Sequence, residues 1–230
     1  MAVKEAIPGK GVAFEPDPRW SPTYRVLRGI FHALMAIWFR PKVTGKEHVP
    51  TAGRVILAPV HRSNLDFGFA PFCSGRKLFF MAKHQLWRHP AFGRLLLDLG
   101  AFPVHRDAPD RESMRNAEEV LRRDQLLVLF PEGARQSGPM VAELLEGAAF
   151  LAARTGAVIV PVGIGGSEVA MPKGAKFPKP LRVHVVIGEP IAPPERSEAG
   201  RVARSRVHQA TEELRVSLQA VYDEARAASR

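Results

Sequence analysis

Apolar residues along the chain follow two alternating patterns. Short apolar runs rich in β-branched or aromatic side chains predict strands buried on both faces, and they cover residues 55–60, 78–82, 101–104, 126–130, 158–164 and 181–188. Apolar residues at helical spacing follow the cap candidate Asp110, continue between Val141 and Arg154, and return in a charged stretch over about 198–230. Because strands that alternate with helices build a sheet covered on both sides, the pattern predicts a single α/β domain with a largely parallel or mixed sheet flanked by helices.

The segment before the first strand has a different pattern. Residues 1–20 are rich in Pro and Gly and predict an extended arm. Ser21 and Pro22 then form a cap and first-turn pair ahead of a mostly apolar stretch flanked by aromatic and basic residues. Its apolar core is shorter than the roughly 20 residues that a transmembrane helix needs, so we predict an amphipathic helix that lies in the membrane surface. The alternative is a helix packed on the core of its own domain.

Net charge and cysteine content limit which partners and which cellular compartment are plausible for this chain. Lys plus Arg number 33 against 23 Asp plus Glu, which leaves a formal charge of +10 and favours anionic partners such as nucleic acid, anionic lipid or phosphorylated metabolites. The single cysteine, Cys73, excludes an internal disulfide and a cysteine-based zinc site, and it fits a reducing compartment.

The first candidate for chemistry is the stretch after the run 55–60. In a parallel sheet, ligands bind at the carboxyl ends of the strands, and His61 follows this run directly. Five residues on an ideal helix turn through roughly 500°, so His61 and Asp66 can meet only across a strand-loop-helix corner, where Ser63 or Asn64 would cap the new helix. A carboxylate that holds one imidazole nitrogen leaves the other free to accept a proton, as a general base does.

Spacing alone leaves other interpretations of this histidine open. The chain contains a second match to the same spacing, from His105 to Asp110, although Asp110 already has a capping role before the following helix. Asp66 lies among apolar residues, where a carboxylate without a partner is costly. A hydrogen-bonded structural histidine at position 61 remains the alternative.

Further candidates follow other predicted strands. In residues 130–138, Gly133 permits an anion to approach closely and Arg135 is a bidentate donor suited to phosphate, although an ordinary solvated turn is the alternative. Lys83 and Arg106 also lie near predicted strand ends, where they could contact phosphate or simply be solvated.

Taken in order, these stretches resemble the glycerolipid acyltransferases, in particular the bacterial 1-acylglycerol-3-phosphate acyltransferases. The resemblance covers most of residues 43–190 and rests on four blocks. They are the His-x-x-x-x-Asp block from His61 to Asp66 with Ser63 inside it, the block from Gly100 to Arg106, the block from Phe130 to Arg135, and the apolar run from Val158 that ends at Pro161. Two departures are Ala134, where the family has threonine, and Val60, where asparagine commonly precedes the histidine.

The resemblance implies roles for these residues. His61 deprotonates an acceptor hydroxyl and Asp66 orients it, with no metal and no cofactor. The substrate-binding residues that the resemblance implies are Ser63, Pro161, Arg106, Glu132, Gly133 and Arg135, of which the last four hold the glycerol-phosphate part. Lys83 joins them as a candidate because of its place at a predicted strand end. The implied division is an arm and membrane-associating helix over residues 1–42 and an acyltransferase domain over 43–230.

The resemblance also implies partners and a location. An acyl thioester such as acyl-CoA is the expected donor and a lysophospholipid the expected acceptor, on an anionic membrane surface at the cytoplasmic face. The protein is expected to be peripheral or monotopic and not to bind nucleic acid, because aromatic residues make up only 8% of the chain and no nucleic-acid motif occurs. The alternatives are an acyltransferase acting on glycerol-3-phosphate or another lysophospholipid, and a non-catalytic basic module that binds membrane or nucleic acid.

Overall fold

The sheet and the helices around it are seen in a computed structural model, which describes residues 19–104, 111–172, 174–195 and 202–229. The strands are β1 (Lys42–Thr44), β2 (Val55–Pro59), β3 (Leu78–Lys83), β4 (Ala101–Val104), β5 (Leu126–Val128), β6 (Val158–Gly165) and β7 (His184–Ile187). The helices are α1 (Pro22–Phe39), α2 (Ala70–Cys73), α3 (Pro90–Asp98), α4 (Arg111–Arg122), α5 (Gly147–Thr155), α6 (Ser167–Ala170) and α7 (Arg204–Ala228). Short 3-10 helices cover Lys46–His48, Asp66–Gly68 and His84–Arg88.

Within the described part of the chain, the seven strands form one mixed sheet in the order β1-β7-β6-β2-β5-β3-β4. The pair β6–β7 is antiparallel and the other neighbours are parallel. The central strands supply fully buried residues such as Ile56, Leu127 and Ile159. The predicted α/β fold with a sheet flanked by helices is therefore confirmed, and β1 is a strand that the sequence pattern did not predict.

Helix α7 lies unusually close to β6. A β-carbon at Gly163 would collide with the carbonyl oxygen of Val221, and one at Gly165 would collide with that of Ala225. These two glycines let the helix backbone rest directly on the strand. The contact therefore places α7 against β6, the strand that pairs with β2.

Helix α1 begins and ends where the sequence indicates. The Ser21 hydroxyl accepts the N–H of Tyr24 at 3.0 Å, and Arg40 ends the helix in the left-handed conformation with φ 44°. One face of α1 packs on the domain through the buried residues Tyr24, Met35 and Phe39. The opposite face exposes the apolar residues Val26, Ile30, Leu34, Ile37 and Trp38. Packing on the domain core, the alternative to membrane docking, therefore explains the buried face of α1 but not its exposed apolar face.

One predicted helix is shorter than its pattern suggests. The apolar spacing over 141–154 predicted a helix throughout, but α5 begins only at Gly147. The N–H of Val141 donates to the side chain of Gln219 and the N–H of Ala142 donates to that of Glu132. Because distant side chains take these N–H groups, residues 141–146 remain outside the helix.

Two further observations bear on the sequence predictions. Among the described residues, no helix is both long enough and apolar enough to cross a bilayer. The extended arm over residues 1–18, the cap at Asp110, and the candidates His105 and Arg106 lie outside the described residues.

Candidate functional site

Three neighbouring parallel strands end at one edge of the sheet and carry the candidate site. Strand β2 lies between β5 and β6, with Ile56 opposite Leu127 on one side and Ile159 on the other. His61 follows β2, Glu132 follows β5, and Ser167 follows β6. The carboxyl ends of parallel strands are where ligands bind in open α/β sheets.

The sequence predicted that His61 and Asp66 meet across a corner, and the structure places them in contact. Nδ1 of His61 lies 3.1 Å from Oδ2 of Asp66. Asp66 is fully buried, whereas 13% of the His61 side chain is exposed. Because a carboxylate only accepts hydrogen bonds, Nδ1 carries the proton and Nε2 presents its lone pair.

The Asp66 carboxylate holds the turn together in a way that the sequence did not predict. Its Oδ2 accepts the N–H groups of Arg62 at 2.6 Å and Ser63 at 2.7 Å, and its Oδ1 accepts the hydroxyl of Ser167 at 2.6 Å. The prediction that Ser63 or Asn64 caps the new helix is wrong, because the 3-10 helix that begins at Asp66 has no side-chain cap. The Ser63 hydroxyl instead accepts the N–H of Leu65 and donates to the carbonyl of Met171.

The imidazole of His61 also has a fixed ring position. Its ring lies against that of Phe130, with centroids 4.3 Å apart and planes 32° apart. Its backbone N–H donates to Oε2 of Glu132 at 2.8 Å, and its carbonyl oxygen accepts the N–H of Gln136 at 2.8 Å. The histidine is thus held by its main chain, by its ring face and by Nδ1.

Glu132 forms a buried ion pair with Arg62 directly beside the contact of His61 with Asp66. Nη1 of Arg62 lies 2.7 Å from both carboxylate oxygens of Glu132, and the two side chains are 1% and 0% exposed. The carboxylate also accepts the N–H of Ala142 at 3.2 Å. Glu132 therefore has a structural role, because both of its carboxylate oxygens accept hydrogen bonds from donors inside the protein. Its predicted contact with glycerol phosphate stays a prediction.

Arg62 links this pair to the C-terminal helix. Nη2 of Arg62 donates to the carbonyl of Met140 at 3.0 Å, and its guanidinium lies 4.9 Å from the centroid of the Tyr222 ring. Gln219 holds the same loop by accepting the N–H of Val141 and donating to the carbonyl of Pro139. Burial and the charge of Glu168 raise the pKa of Tyr222, so this phenol stays neutral beside Arg62.

The loop after β5 only partly matches the anion cradle that the sequence predicted. Gly133 has φ 69°, a left-handed backbone conformation that favours glycine, and a β-carbon there would also displace the exposed side chain of Leu145. The N–H groups of Gly133 and Ala134 donate to Phe130 and Glu132 within the turn and are not available to an anion. The half-buried Arg135 makes no hydrogen bond or ion pair with any residue that the structure describes.

The remaining candidates differ in their distance from this edge. Lys83 is exposed at the end of β3, and Ser63 is buried in the turn itself. Pro161 is buried within β6, opposite Ala58 of β2 and short of the end of the strand. Their predicted contacts with substrate stay predictions, as does that of Arg106. In the described ranges, no group of three or more His, Cys, Asp or Glu side chains could hold a metal ion.

Sequence reasoning missed two residues of the site, Arg62 and Ser167. The rule that selects His61 and Glu132 also selects Ser167, which follows β6, but the fourth sequence block ends at Pro161, before this serine. Arg62 gave no such signal, because a charged residue in a loop is normally solvated. Its burial depends on Glu132, which lies 70 positions away in the chain.

Comparisons with known proteins agree with the fold and with the family that the sequence blocks indicate. A family model described as Acyltransferase matches residues 40–165, more than half of the 230-residue chain. The structure is similar to the crystal structure of the 1-acyl-sn-glycerophosphate (LPA) acyltransferase PlsC from Thermotoga maritima. That likeness has a TM-score of 0.69 and 23% identity, covers 87% of this chain and 80% of that one, and concerns the fold.

Curated relatives carry related names. The 1-acyl-sn-glycerol-3-phosphate acyltransferase of Bacillus subtilis is 25% identical over 173 residues, which is 73% of this chain and 82% of that protein. The protein of the same name from Streptococcus pneumoniae is 30% identical over 152 residues, 62% of this chain. The chain spans about half, 54%, of the Streptococcus protein and of a chloroplastic relative from Arabidopsis thaliana. The family model matches the stretch that holds His61, Asp66 and the pair of Arg62 and Glu132, and it shows that this chain belongs to the acyltransferase family and is an O-acyltransferase.

Proposed function

We propose that this enzyme transfers a fatty acyl group from a thioester to the free hydroxyl of 1-acylglycerol-3-phosphate, giving phosphatidic acid. The observation that carries the proposal is the contact of 3.1 Å between Nδ1 of His61 and the buried Asp66, which leaves Nε2 available at a partly open strand end. The relatives named as 1-acyl-sn-glycerol-3-phosphate acyltransferases support this acceptor.

In the proposed reaction, Nε2 of His61 accepts the proton of the acceptor hydroxyl as its oxygen attacks the thioester carbonyl. Asp66 stabilises the imidazolium that forms and keeps the ring in place. When the carbon–sulfur bond breaks, the thiolate leaves and takes the proton from His61. The acyl group thus moves in one direct displacement, and no covalent serine or cysteine intermediate is needed.

The phosphate of the acceptor is proposed to bind basic side chains near the same edge. Arg135 is the best placed of them, because it is half-buried and its guanidinium has no partner among the described residues. Arg106 and Lys83 are proposed to contribute as well, with Lys83 at the exposed end of β3. Glu132 supports the site from behind, since it holds the main chain of His61 and the side chain of Arg62.

Acyl-CoA is the proposed donor, and acyl carrier protein is the alternative. Both donors are anionic thioesters, and the formal charge of +10 favours either one. A glycerol-3-phosphate acceptor would use the same apparatus. The discriminating experiment is the measurement of free thiol released from acyl-CoA and from acyl carrier protein against a panel of hydroxyl acceptors. Release with 1-acylglycerol-3-phosphate is expected to exceed release with glycerol-3-phosphate or with an unphosphorylated monoacylglycerol, and a preference for either of the latter would contradict the proposal.

The exposed face of α1 is proposed to dock the enzyme on an anionic membrane at its cytoplasmic side. Ile37 is 75% exposed and Leu34 is 61% exposed, although both are apolar and lie on one face of the helix. Contiguous exposed apolar surface on a soluble domain marks an interaction site, and the lipid substrates reside in the bilayer. Arg25 and Arg40 are exposed beside this face, whereas Arg28 donates to the carbonyls of Ser74 and Arg76 and belongs to the domain.

Substitution tests this docking better than deletion, because deletion of α1 would uncover the core residues packed under Met35 and Phe39. The variant Ile30→Ser, Leu34→Ser, Ile37→Ser is expected to lose most binding in flotation with anionic vesicles, since each exposed side chain would otherwise contribute about 1.5 to 3 kcal/mol. The control Val216→Ser, at a 61% exposed position on α7, is expected to float as the parent does. Equal flotation of all three proteins would contradict docking through α1.

A further inference from the structure

The hydroxyl of Ser167 completes the shell around Asp66. Ser167 is the first residue of α6 and is fully buried, and its Oγ lies 2.6 Å from Oδ1 of Asp66. A buried carboxylate only accepts, so the hydroxyl donates its proton in this contact. The serine lies beyond residues 40–165, the part of the chain that matches the family model.

The fold fixes the position of this serine. Strand β6 pairs with β2 up to the contact of Val162 with Pro59, and the chain then turns at Gly166, which has φ 93°. A β-carbon at Gly166 would lie 2.9 Å from the carbonyl oxygen of Arg182, so the turn is tight. Ser167 is thus held by the strand and the turn, and not only by its own hydrogen bond.

The two oxygens of Asp66 have different partners. Oδ2 accepts two backbone N–H groups and faces Nδ1 of His61. Oδ1 has the hydroxyl of Ser167 as its partner among the described residues. Without that donor, one oxygen of a fully buried carboxylate would be unsatisfied, which is costly and leaves the carboxylate plane held from Oδ2 alone.

We infer that Ser167 is a positioning residue that acts through Asp66: its hydrogen bond fixes the plane of the carboxylate and thereby the direction of the His61 ring. The inference rests on the proposed roles of His61 and Asp66 in acyl transfer. Ser167 itself contacts neither substrate nor the transferred proton.

The test compares Ser167→Ala and Ser167→Cys with the parent enzyme. Cysteine nearly preserves the volume of serine but is a weak donor, so it separates the hydrogen bond from simple packing. Both variants are expected to lower kcat by roughly tenfold to a hundredfold, the equivalent of one hydrogen bond to a charged group, with KM nearly unchanged. Thr211→Val is the control, because it removes a buried hydroxyl whose acceptor is the carbonyl of Val207 within α7.

Two further measurements separate this inference from the proposed function. In the Asp66→Asn background, Ser167→Ala is expected to lower kcat much less than in the parent, because residues that act through one group are not additive. Proton NMR of the enzyme without substrate is expected to show a downfield Nδ1–H signal that His61→Ala removes and Ser167→Ala shifts. That signal does not depend on whether His61 performs acyl transfer.

Parent-like kcat in Ser167→Cys would overturn the inference and leave a packing role, and so would equal losses in the parent and Asp66→Asn backgrounds. An NMR signal of His61 that Ser167→Ala leaves unmoved would overturn it as well. The proposed function fails on a different result, namely full turnover by His61→Ala.

A second and independent observation concerns the segment 174–182, which precedes β7. Phe177 is 83% exposed there, and Lys176, Lys179 and Arg182 around it are exposed. The sequence contains no acidic residue from 169 to 188. Within the segment, the N–H of Lys179 donates to Ala170 and that of Ala175 donates to Pro172, so its main chain is held against α6.

This basic loop ends beside the helix proposed to dock on the membrane. The N–H of Val183 donates to the carbonyl of Phe39 at 3.1 Å, and the carbonyl of Val183 accepts the N–H of Lys42 at 3.0 Å. Trp38, which is 48% exposed, and the exposed Arg40 lie at the same end of α1.

We propose that the loop 174–182 is a second membrane contact, in which Phe177 inserts below anionic headgroups while the cations pair with them. An aromatic side chain flanked by cations without acids fits an anionic lipid surface. This proposal extends the docking proposed for α1 and adds a second element to it.

Vesicle partitioning of the full chain tests the loop. Phe177→Ser is expected to weaken binding to anionic vesicles by about tenfold or more at all salt concentrations. Lys176→Gln with Lys179→Gln is expected to weaken it by roughly fivefold per charge at low salt and hardly at high salt. Val216→Ser is the matched exposed control. Parent-like partitioning of both loop variants would overturn the proposal, while loss of binding in the α1 variant alone would leave docking through α1 in place.

Discussion

Two buried pairs of side chains, the hydrogen-bonded pair of His61 and Asp66 and the ion pair of Arg62 and Glu132, begin at adjacent residues of one turn and differ in how far solvent can reach them. In the pair of His61 and Asp66, the histidine is 13% exposed and its Nε2 has no partner among the described residues. In the pair of Arg62 and Glu132, the side chains are 1% and 0% exposed. Both carboxylate oxygens and both terminal guanidinium nitrogens have hydrogen-bond partners, whereas the buried Nε of Arg62 has none among the described residues.

The difference in exposure distinguishes His61, the group that reacts, from the pair of Arg62 and Glu132, which holds its main chain in place. Glu132 accepts the N–H of His61, and Nη1 of Arg62 lies 3.3 Å from the carbonyl oxygen of His61, so the sealed pair clamps the main chain of the open pair. Removing one partner of a buried charge pair leaves the other charge unpaired and destabilises the protein strongly. Proton transfer, in contrast, needs a nitrogen that a substrate can reach. Substitutions in the open pair are therefore expected to act on the rate, and substitutions in the sealed pair on stability.

The largest effect is expected from the open pair. His61→Ala should lower turnover by about 10²- to 10⁴-fold, the usual contribution of a general base, without unfolding the protein. Asp66→Asn should fail less completely, because the ring remains but loses its partner charge. Thiol release and thermal unfolding of the same samples measure the two quantities. Near-normal turnover in His61→Ala, combined with loss of turnover in His105→Ala, would show that His105 and not His61 is the general base.

The sealed pair is expected to show the opposite signature. Arg62→Met leaves the carboxylate of Glu132 buried without its ion-pair partner and should reduce the free energy of unfolding by about 3 to 5 kcal/mol. Denaturant unfolding measures this loss. The control Glu119→Gln breaks an ion pair with Arg123 on the surface of α4, and it should cost about 0.5 kcal/mol or less. Similar small losses for both variants would show that the Arg62 pair does not hold the turn.

A smaller and substrate-dependent effect is expected at Arg135, which belongs to neither pair. If it grips phosphate with a charge-assisted bond of roughly 1.5 to 3 kcal/mol, Arg135→Ala should weaken use of a phosphorylated acceptor by tens-fold. An acceptor without phosphate should be used nearly as before. Values of kcat/KM for the two acceptors test this, and equal losses on both would indicate a structural role instead.

The smallest effect is expected at Cys73, a buried titratable group outside both pairs. Burial raises the pKa of its thiol to about 12, so the reactive thiolate is rare at pH 8 and would become populated only as the pH approaches that value. N-ethylmaleimide should leave native Cys73 unlabelled and activity unchanged at pH 8, as judged by intact mass and thiol release. Rapid labelling with loss of activity would show that the thiol is accessible near the site.

The sequence predicted the parts of this site that depend on local spacing. His61 and Asp66 are five positions apart and follow an apolar run, so a strand end and a corner were enough to bring them together. The parallel order of the strands could also be anticipated, because strands alternate with helices along the chain. Helix α1 was predictable from the cap at Ser21, whose side chain accepts the N–H of Tyr24.

The parts that depend on long-range contacts could not be predicted in this way. Ser167 lies 101 positions from Asp66, and no local pattern connects them. Residues 141–146 have the spacing of a helix, but the side chains of Gln219 and Glu132 take N–H groups that a helix would need. Both features depend on where α7, β6 and the loop after β5 pack, which is a property of the complete fold.

The central claim is that His61 transfers a proton during direct attack by the acceptor. The most direct measurement mixes the enzyme with an acyl thioester in the absence of acceptor and follows both free thiol and the intact mass of the protein. The account predicts no burst of thiol and no acylated protein, followed by stoichiometric release once 1-acylglycerol-3-phosphate is added. A burst approaching one equivalent of thiol, with a matching acyl adduct on the protein, would contradict it.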